Sequence, residues 1–292
     1  MADRSRSLNA NASGEFFVDA TCINSGACRA VAPAIFAERH GRSYVQRQPM
    51  NEEERALALM ASVACPAGSI GPSAEEAGTP AVELFPQKIA DNVYYNGYNS
   101  PLSFGASSYL IQRPEGNVLI DAPRFDPALV RRLEQMGGVA LMFLTHKDDV
   151  GEHERFAAHF GCKRIMHRFD LHRGLTEVEV TVEGVEPVRL ADDLLAIPVP
   201  GHTKGSTCLL HRTFLFTGDH LAQNQNRTHP TAFSNHCWYS WPEQTASMKR
   251  LAGYDFEWIL PGHGGRAHYP LVEMKQKMAE CVAWMETVQA RP

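Results

Sequence analysis

Apolar residues in this chain come mostly in short runs broken by glycine, proline and small polar residues, and only a few stretches carry them at helical spacing. The runs at 139–143, 163–167, 194–199 and 256–260 are short and sharply bounded, as buried strands are. Two pairs read as hairpins: 107–112 with 117–121, turning at Pro114-Glu115-Gly116, and 207–211 with 213–217, turning around Arg212. Residues 16–18, 42–48, 82–85, 92–95 and 178–190 add further strands. Helical spacing predicts helices over 127–136, where Leu129, Val130 and Leu133 share a face, and over 152–160, 243–251 and 270–288. A short helix is predicted over 30–36. A longer one runs from Asn51, a capping residue with Glu54 three positions on, to the Cys65-Pro66 step. Residues 73–82 hold Glu75, Glu76, Gly78 and Pro80 and read as a linker between units at 15–72 and 83–292.

With 292 residues, 44% of them hydrophobic, the chain can build one large domain and a small one. A net charge of -5 gives no electrostatic support for nucleic-acid binding, and no apolar stretch approaches a membrane span. Residues 1–14 are polar and small and read as a disordered, solvated tail without the apolar centre of a signal peptide. Seven unevenly spread cysteines do not form a disulfide framework, which fits a reducing, cytoplasmic location.

Candidate chemistry sits where apolar runs end. Leu144-Thr145-His146-Lys147-Asp148-Asp149 follows one run. Gly201-His202-Thr203, Gly218-Asp219-His220 and Gly262-His263-Gly264 follow others, and Asp121 closes an upstream strand. Imidazoles and carboxylates converging from such loops suit zinc or iron. At these residues the chain resembles the metallo-β-lactamase superfamily, whose motifs run T-H-x-H-x-D-H, G-H-T, G-D and G-H in this order. The resemblance covers about residues 83–292 and implies a four-layer αβ/βα sandwich. It implies His146, Asp148, His202, Asp219 and His263 as ligands of one or two divalent ions. The chain departs from the pattern in one place: Asp148 stands where a second His is usual, and Val150 and Gly151 stand where Asp and His are usual. Asp149 and His153, four residues apart, would share a helix face and offer replacement ligands. Asp121, His167 and His220 read as groups around the ligands rather than ligands, or as ordinary hydrogen-bonded residues. The aromatic segment Trp238, Tyr239 and Trp241, after His236, reads as a pocket lining or, as aromatics this dense more often are, as core, and no substrate contact is assigned from it.

Residues 15–72 resemble a small α+β single-cluster ferredoxin with the pattern C-x2-C-x2-C and a remote C-P. Cys22, Cys28 and Cys65 match, and Ser25 stands at the second cysteine position. The resemblance implies a [3Fe-4S] cluster on three thiolates, or a [4Fe-4S] cluster with Ser25 or an outside ligand at the fourth iron. The alternative is a packing module without a cluster. Cys162, Cys208, Cys237 and Cys281 read as small buried residues.

Together these features give a metal-dependent hydrolase of an ester, thioester, lactam or phosphodiester, with Asp219 and Asp149 as catalytic carboxylates and Asp149 accepting a proton. An iron-dependent redox enzyme is the alternative, of the oxygenase or diiron type and fed by the fused cluster domain. Its warrant is that Asp148 makes the site richer in oxygen ligands. A small-molecule substrate is expected under either reading, and a redox partner protein under the second. A third reading, a non-enzymatic iron–sulfur protein, is opposed by the intact G-H-T, G-D and G-H motifs.

Overall fold

The computed structural model describes residues 1–73, 76–78, 84–224 and 227–288. Most of the expected linker at 73–82, and the first two residues of the expected strand at 82–85, lie outside the described residues. The chain falls into two compact units, Met1–Ala140 with Gly151–Cys162, and Leu141–Val150 with Lys163–Pro292. The cluster-like region and the segment after the linker therefore belong to one unit.

In the first unit, strand β1 (Phe17–Val18) and helix α1 (Ala27–Val31) flank the cysteine loop, whose turn passes through left-handed Asn24 and Gly26. Helix α1 corrects the expected helix over 30–36: it starts earlier and ends before Pro33. Phe36 instead opens β2 (Phe36–Arg39), which pairs with β3 (Arg42–Val45) through His40 and Gly41, both at positive φ. Helix α2 (Glu52–Ala64) begins as expected, with the Asn51 side chain accepting the Glu54 N–H at 2.9 Å. Glu54 does not complete a capping box. Its carboxylate takes the Met50 N–H and the Arg47 guanidinium instead, and the Arg47 bond holds it down to about 2.

Strand β4 (Ile70–Gly71) pairs with β1. The expected disordered tail is also corrected. Asp3 donates its N–H to Asp19 and Leu8 donates to Val18, while Asn11 bonds the main chain of Val18 on both sides. Strands β5 (Gln87–Ala90), β6 (Val93–Tyr95), β7 (Tyr109–Ile111) and β8 (Val118–Ile120) form an antiparallel meander. Helices α3 (Pro127–Gln135), capped by Asp126, and α4 (His153–Phe160) complete the unit.

The second unit holds a parallel set, β9 (Leu141–Phe143), β10 (Lys163–His167) and β11 (Val180–Val182). Its main sheet orders β12 (Val188–Ala191), β13 (Leu194–Pro198), β14 (Thr207–His211), β15 (Phe214–Gly218), β18 (Trp258–Pro261) and β19 (Ala267–His268). The long strand expected over 178–190 is thus two strands, β11 and β12. A two-residue pair, β16 (Ala222–Gln223) with β17 (Pro230–Thr231), lies between β15 and β18 in sequence. Helices α5 (Trp241–Leu251) and α6 (Leu271–Thr287) supply Met248, Leu251, Met274, Met278 and Met285 to a core with Ile197, Val199, Leu215 and Ile259. Each such side chain buried contributes roughly 1.5–3 kcal/mol, and flexible methionines fill the irregular gaps under the sheet. The pair that matters for the site is β15 and β18. They are parallel neighbours, so Gly218-Asp219 and Gly262-His263 leave the sheet side by side. No helix among the described residues is long and apolar enough to cross a membrane.

Candidate metal centre and cysteine cavity

The loop after β9 delivers His146, Asp148 and Asp149, the loop before β14 delivers His202, and β15 and β18 deliver Asp219 and His263. The structure brings all six together in the second unit. Asp148 Oδ2 lies 3.5 Å from His202 Nε2 and 4.0 Å from His146 Nε2. Asp219 Oδ2 lies 3.8 Å and 3.9 Å from the same two nitrogens. These separations are long for hydrogen bonds. They are close to the about 3.4 Å that separates neighbouring ligand atoms on a tetrahedral cation with bonds of about 2.1 Å. The Nε2 atoms of His146 and His202 are buried and make no hydrogen bond to any described residue. Buried polar atoms without partners are costly, and one shared cation would satisfy both. The residues present therefore fit a metal ion.

A second group forms on the other face of His146. Asp149 Oδ2 lies 4.0 Å from His146 Nδ1 and Asp149 Oδ1 lies 3.7 Å from His263 Nε2. His263 donates its N–H to Asp219 Oδ1 at 3.2 Å. Gly262 is required between them: a Cβ there would sit 2.3 Å from Asp149 Oδ2 and 3.1 Å from Asp219 Oδ1. Asp148 and Asp149 thus serve opposite sides of His146, because the loop turns at Lys147–Asp148 instead of continuing the strand. Asp148 is 42% exposed and marks the open side, whereas Asp149 is buried.

Burial drives the His146 imidazole down to about 4. Burial also acts to raise Asp219, but the positive fields of His263, His146 and His202 and the His263 N–H outweigh it and hold the carboxyl below its usual range. Asp148 is held low chiefly by His202 beside it.

The expected supporting groups fare differently. Asp121 ends β8 at φ 52, buried, with its carbonyl taken by Ser108 Oγ at 2.8 Å, and His153 is buried at the first position of α4. Both belong to the first unit. His167 takes the ordinary of its two readings: Nε2 meets the Gly184 carbonyl at 2.9 Å and Nδ1 accepts the Phe169 N–H, so it caps a turn. His220 is fully buried, bonds no described residue through either ring nitrogen, and is pushed down to about 3 by burial. For Trp238 and Tyr239 the core reading is corrected. They are 62% and 48% exposed, and of the three expected core aromatics only Trp241 is buried.

Asp170 escaped the sequence reading. It is buried, and its carboxylate takes the Lys147 N–H at 3.0 Å, the Thr203 hydroxyl at 2.5 Å and the Gly205 N–H at 2.8 Å. One side chain thus ties the His146–Asp148 loop to the His202 loop. Asp170→Ala is expected to weaken metal affinity roughly 10- to 100-fold, the usual cost of removing groups that support ligands. Competition against a chelator measures it, and unchanged affinity in a folded variant would contradict the role.

His146 and His220 also set a pH dependence for the metal-free protein. Both stay neutral in the fold well below 6.5, the value for a free imidazole, so between that pH and about 4 the unfolded chain binds more protons. Stability is therefore full above pH 6.5 and falls as pH drops, by up to about 1.4 kcal/mol per pH unit for each group. Urea unfolding at stepped pH should show the slope, and His220→Leu should roughly halve it.

In the first unit, Cys22, Ser25, Cys28 and Cys65 line one cavity. Asn24 N–H points to Cys22 Sγ at 3.4 Å and Ser69 N–H to Cys65 Sγ at 3.3 Å, the kind of donors that support thiolate ligands. Burial pushes the Cys28 thiol up to about 11 and raises Cys65 as well. Gly105 packs on Ser25: a Cβ there would lie 2.8 Å from both Ser25 Cβ and Pro66 Cγ. Three sulfurs and one hydroxyl around one space fit an iron–sulfur cluster. Cys162, Cys208 and Cys281 are buried as expected, and Cys237 is half-buried with its thiol donating to the Gly201 carbonyl.

Comparison with known proteins bears on both sites. Residues 18–72 match the family described as the 4Fe-4S single cluster domain of Ferredoxin I. The chain superposes on VMB-1 with a TM-score of 0.50 at 16% identity, over 66% of this chain and 95% of that one. The DIM-1 metallo-β-lactamase gives 0.50 at 15% identity, over 66% and 95%. The fold is that of the metallo-β-lactamases. BLEG-1, a B3 metallo-β-lactamase, agrees at 0.50 and 15% identity, over 64% and 97%. No curated protein matches the sequence. The metallo-β-lactamase αβ/βα sandwich is thus as expected, with a ferredoxin-type domain ahead of it.

Proposed function

We propose that the protein is a metal-dependent hydrolase acting on a small molecule with an ester, thioester, lactam or phosphodiester bond. The observation that carries this is the pair of buried, unpartnered Nε2 atoms of His146 and His202 facing the Asp148 and Asp219 carboxylates. Those four side chains would hold one divalent ion, zinc or iron, and Asp149, Asp219 and His263 would hold a second. A cation held there lowers the pKa of a coordinated water toward neutrality and polarises a carbonyl or phosphoryl group. The chain's own part is positional. Asp170 locks the two ligand loops together, Asp219 faces both groups, and Asp149 would take up a proton. Exposed Asp148 leaves that side open to a substrate.

A second reading, an iron-dependent redox enzyme, is favoured by the cysteine cavity. Cys22, Cys28, Cys65 and Ser25 would give the chain a [3Fe-4S] or [4Fe-4S] centre, which hydrolysis does not require, and a redox partner protein to exchange electrons with it.

The metal-loaded protein, assayed on one substrate of each of the four bond types, is expected to hydrolyse at least one and to lose that activity in His202→Ala. No hydrolysis of any, with oxygen uptake by the iron-loaded protein in the presence of a reductant, would replace the first reading by the second.

A further inference from the structure

We propose that Trp238 is a specificity-determining residue, the wall against which an aryl group of the substrate rests beside His202. The inference deepens the metal-dependent reading and rests on it. The main chain around Trp238 is tied to the ligand loop. Trp238 and Tyr239 donate their N–H groups to the His202 carbonyl at 2.9 and 3.1 Å, and the Ser240 N–H and Cys237 thiol meet the Gly201 carbonyl at 3.0 and 3.2 Å. These bonds fix the segment without using the indole. Its centroid lies 6.3 Å from the His202 ring, inclined at 60°, and the ring is 62% exposed.

The indole stands in water beside the buried His202 ring, where a flat apolar group of a bound substrate would meet it. Its exposure is not for want of core space, because Trp241, three residues on, is buried at 6%. Asp148, the exposed carboxylate of the first group, lies 3.5 Å from His202 Nε2, so the centre is open to solvent next to His202. A flat apolar group next to the scissile bond would cover the indole, exclude water and gain stacking. Trp238 touches no reacting atom, so its effect is on which ligands bind.

The test uses the cobalt-substituted protein and two thiols, phenylmethanethiol and ethanethiol, read by the cobalt–thiolate absorption. Wild type should bind the aryl thiol roughly tenfold more tightly than the alkyl one. Trp238→Ala should erase that ratio while leaving ethanethiol binding and the apo melting temperature unchanged, because the segment is anchored by its backbone. Trp238→Phe should keep most of the preference. Equal binding of both thiols by wild type, or a preference that survives in Trp238→Ala, would overturn the proposal. A protein that takes up no cobalt would overturn the metal-dependent reading beneath it, a separately visible failure.

Discussion

Asp219→Ala is expected to empty the metal centre, weakening affinity by more than the roughly 100-fold that bounds the loss of a supporting group. Its two oxygens reach both groups, one 3.8–3.9 Å from His202 and His146 and the other taking the His263 N–H. Losing it removes a ligand from each position and leaves imidazoles facing one another without the carboxylate. Asp148→Ala should cost less, since its half-exposed carboxylate contributes to one group only. Gly262→Ala should approach the Asp219 effect while changing no ligand, because its Cβ would fall on Asp149 and Asp219. Metal content after dialysis against a weak chelator, with the melting temperature of the metal-free protein as control, ranks the three. A full complement of metal in Asp219→Ala would exclude it as the shared carboxylate.

Cys28→Ala is expected to abolish the cluster and the brown colour of protein purified without oxygen. Cys28 is the deepest of the three cavity thiols, and nothing else in the cavity supplies a sulfur in its place. Iron and acid-labile sulfide should both fall to background, while the metal centre of the second unit keeps its ions. A colourless, sulfide-free wild type would leave the 18–72 domain as a packing module.

The four loop ends were legible because each puts a chemical residue where an apolar run stops, and in the three downstream ones glycine sits beside it. Parallel β15 and β18 then do the rest, setting Asp219 beside His263. Asp148 was legible through the motif it departs from, but the turn at Lys147–Asp148, which frees Asp149 for the other side, was not. Asp170 was not legible. It has no glycine beside it, and its partners lie 23, 33 and 35 residues away, so its role exists only after folding. His167 left two readings open because it ends a strand, and its local bonds to Phe169 and Gly184 agree with the ordinary one. Trp238 looked like core because aromatic density normally is, and only the backbone bonds to Gly201 and His202 show why it stays outside. Helix α1 was misplaced because Pro33 acts as a stop after the helix rather than near its start.

The most direct test is a cobalt titration of metal-free protein followed by visible absorption, beside the His146→Ala/His202→Ala double variant. Wild type should take up at least one tightly held ion per chain, with the intense bands of a low-symmetry site, and the double variant none. Equal uptake by the two proteins, or no uptake by either, would contradict it.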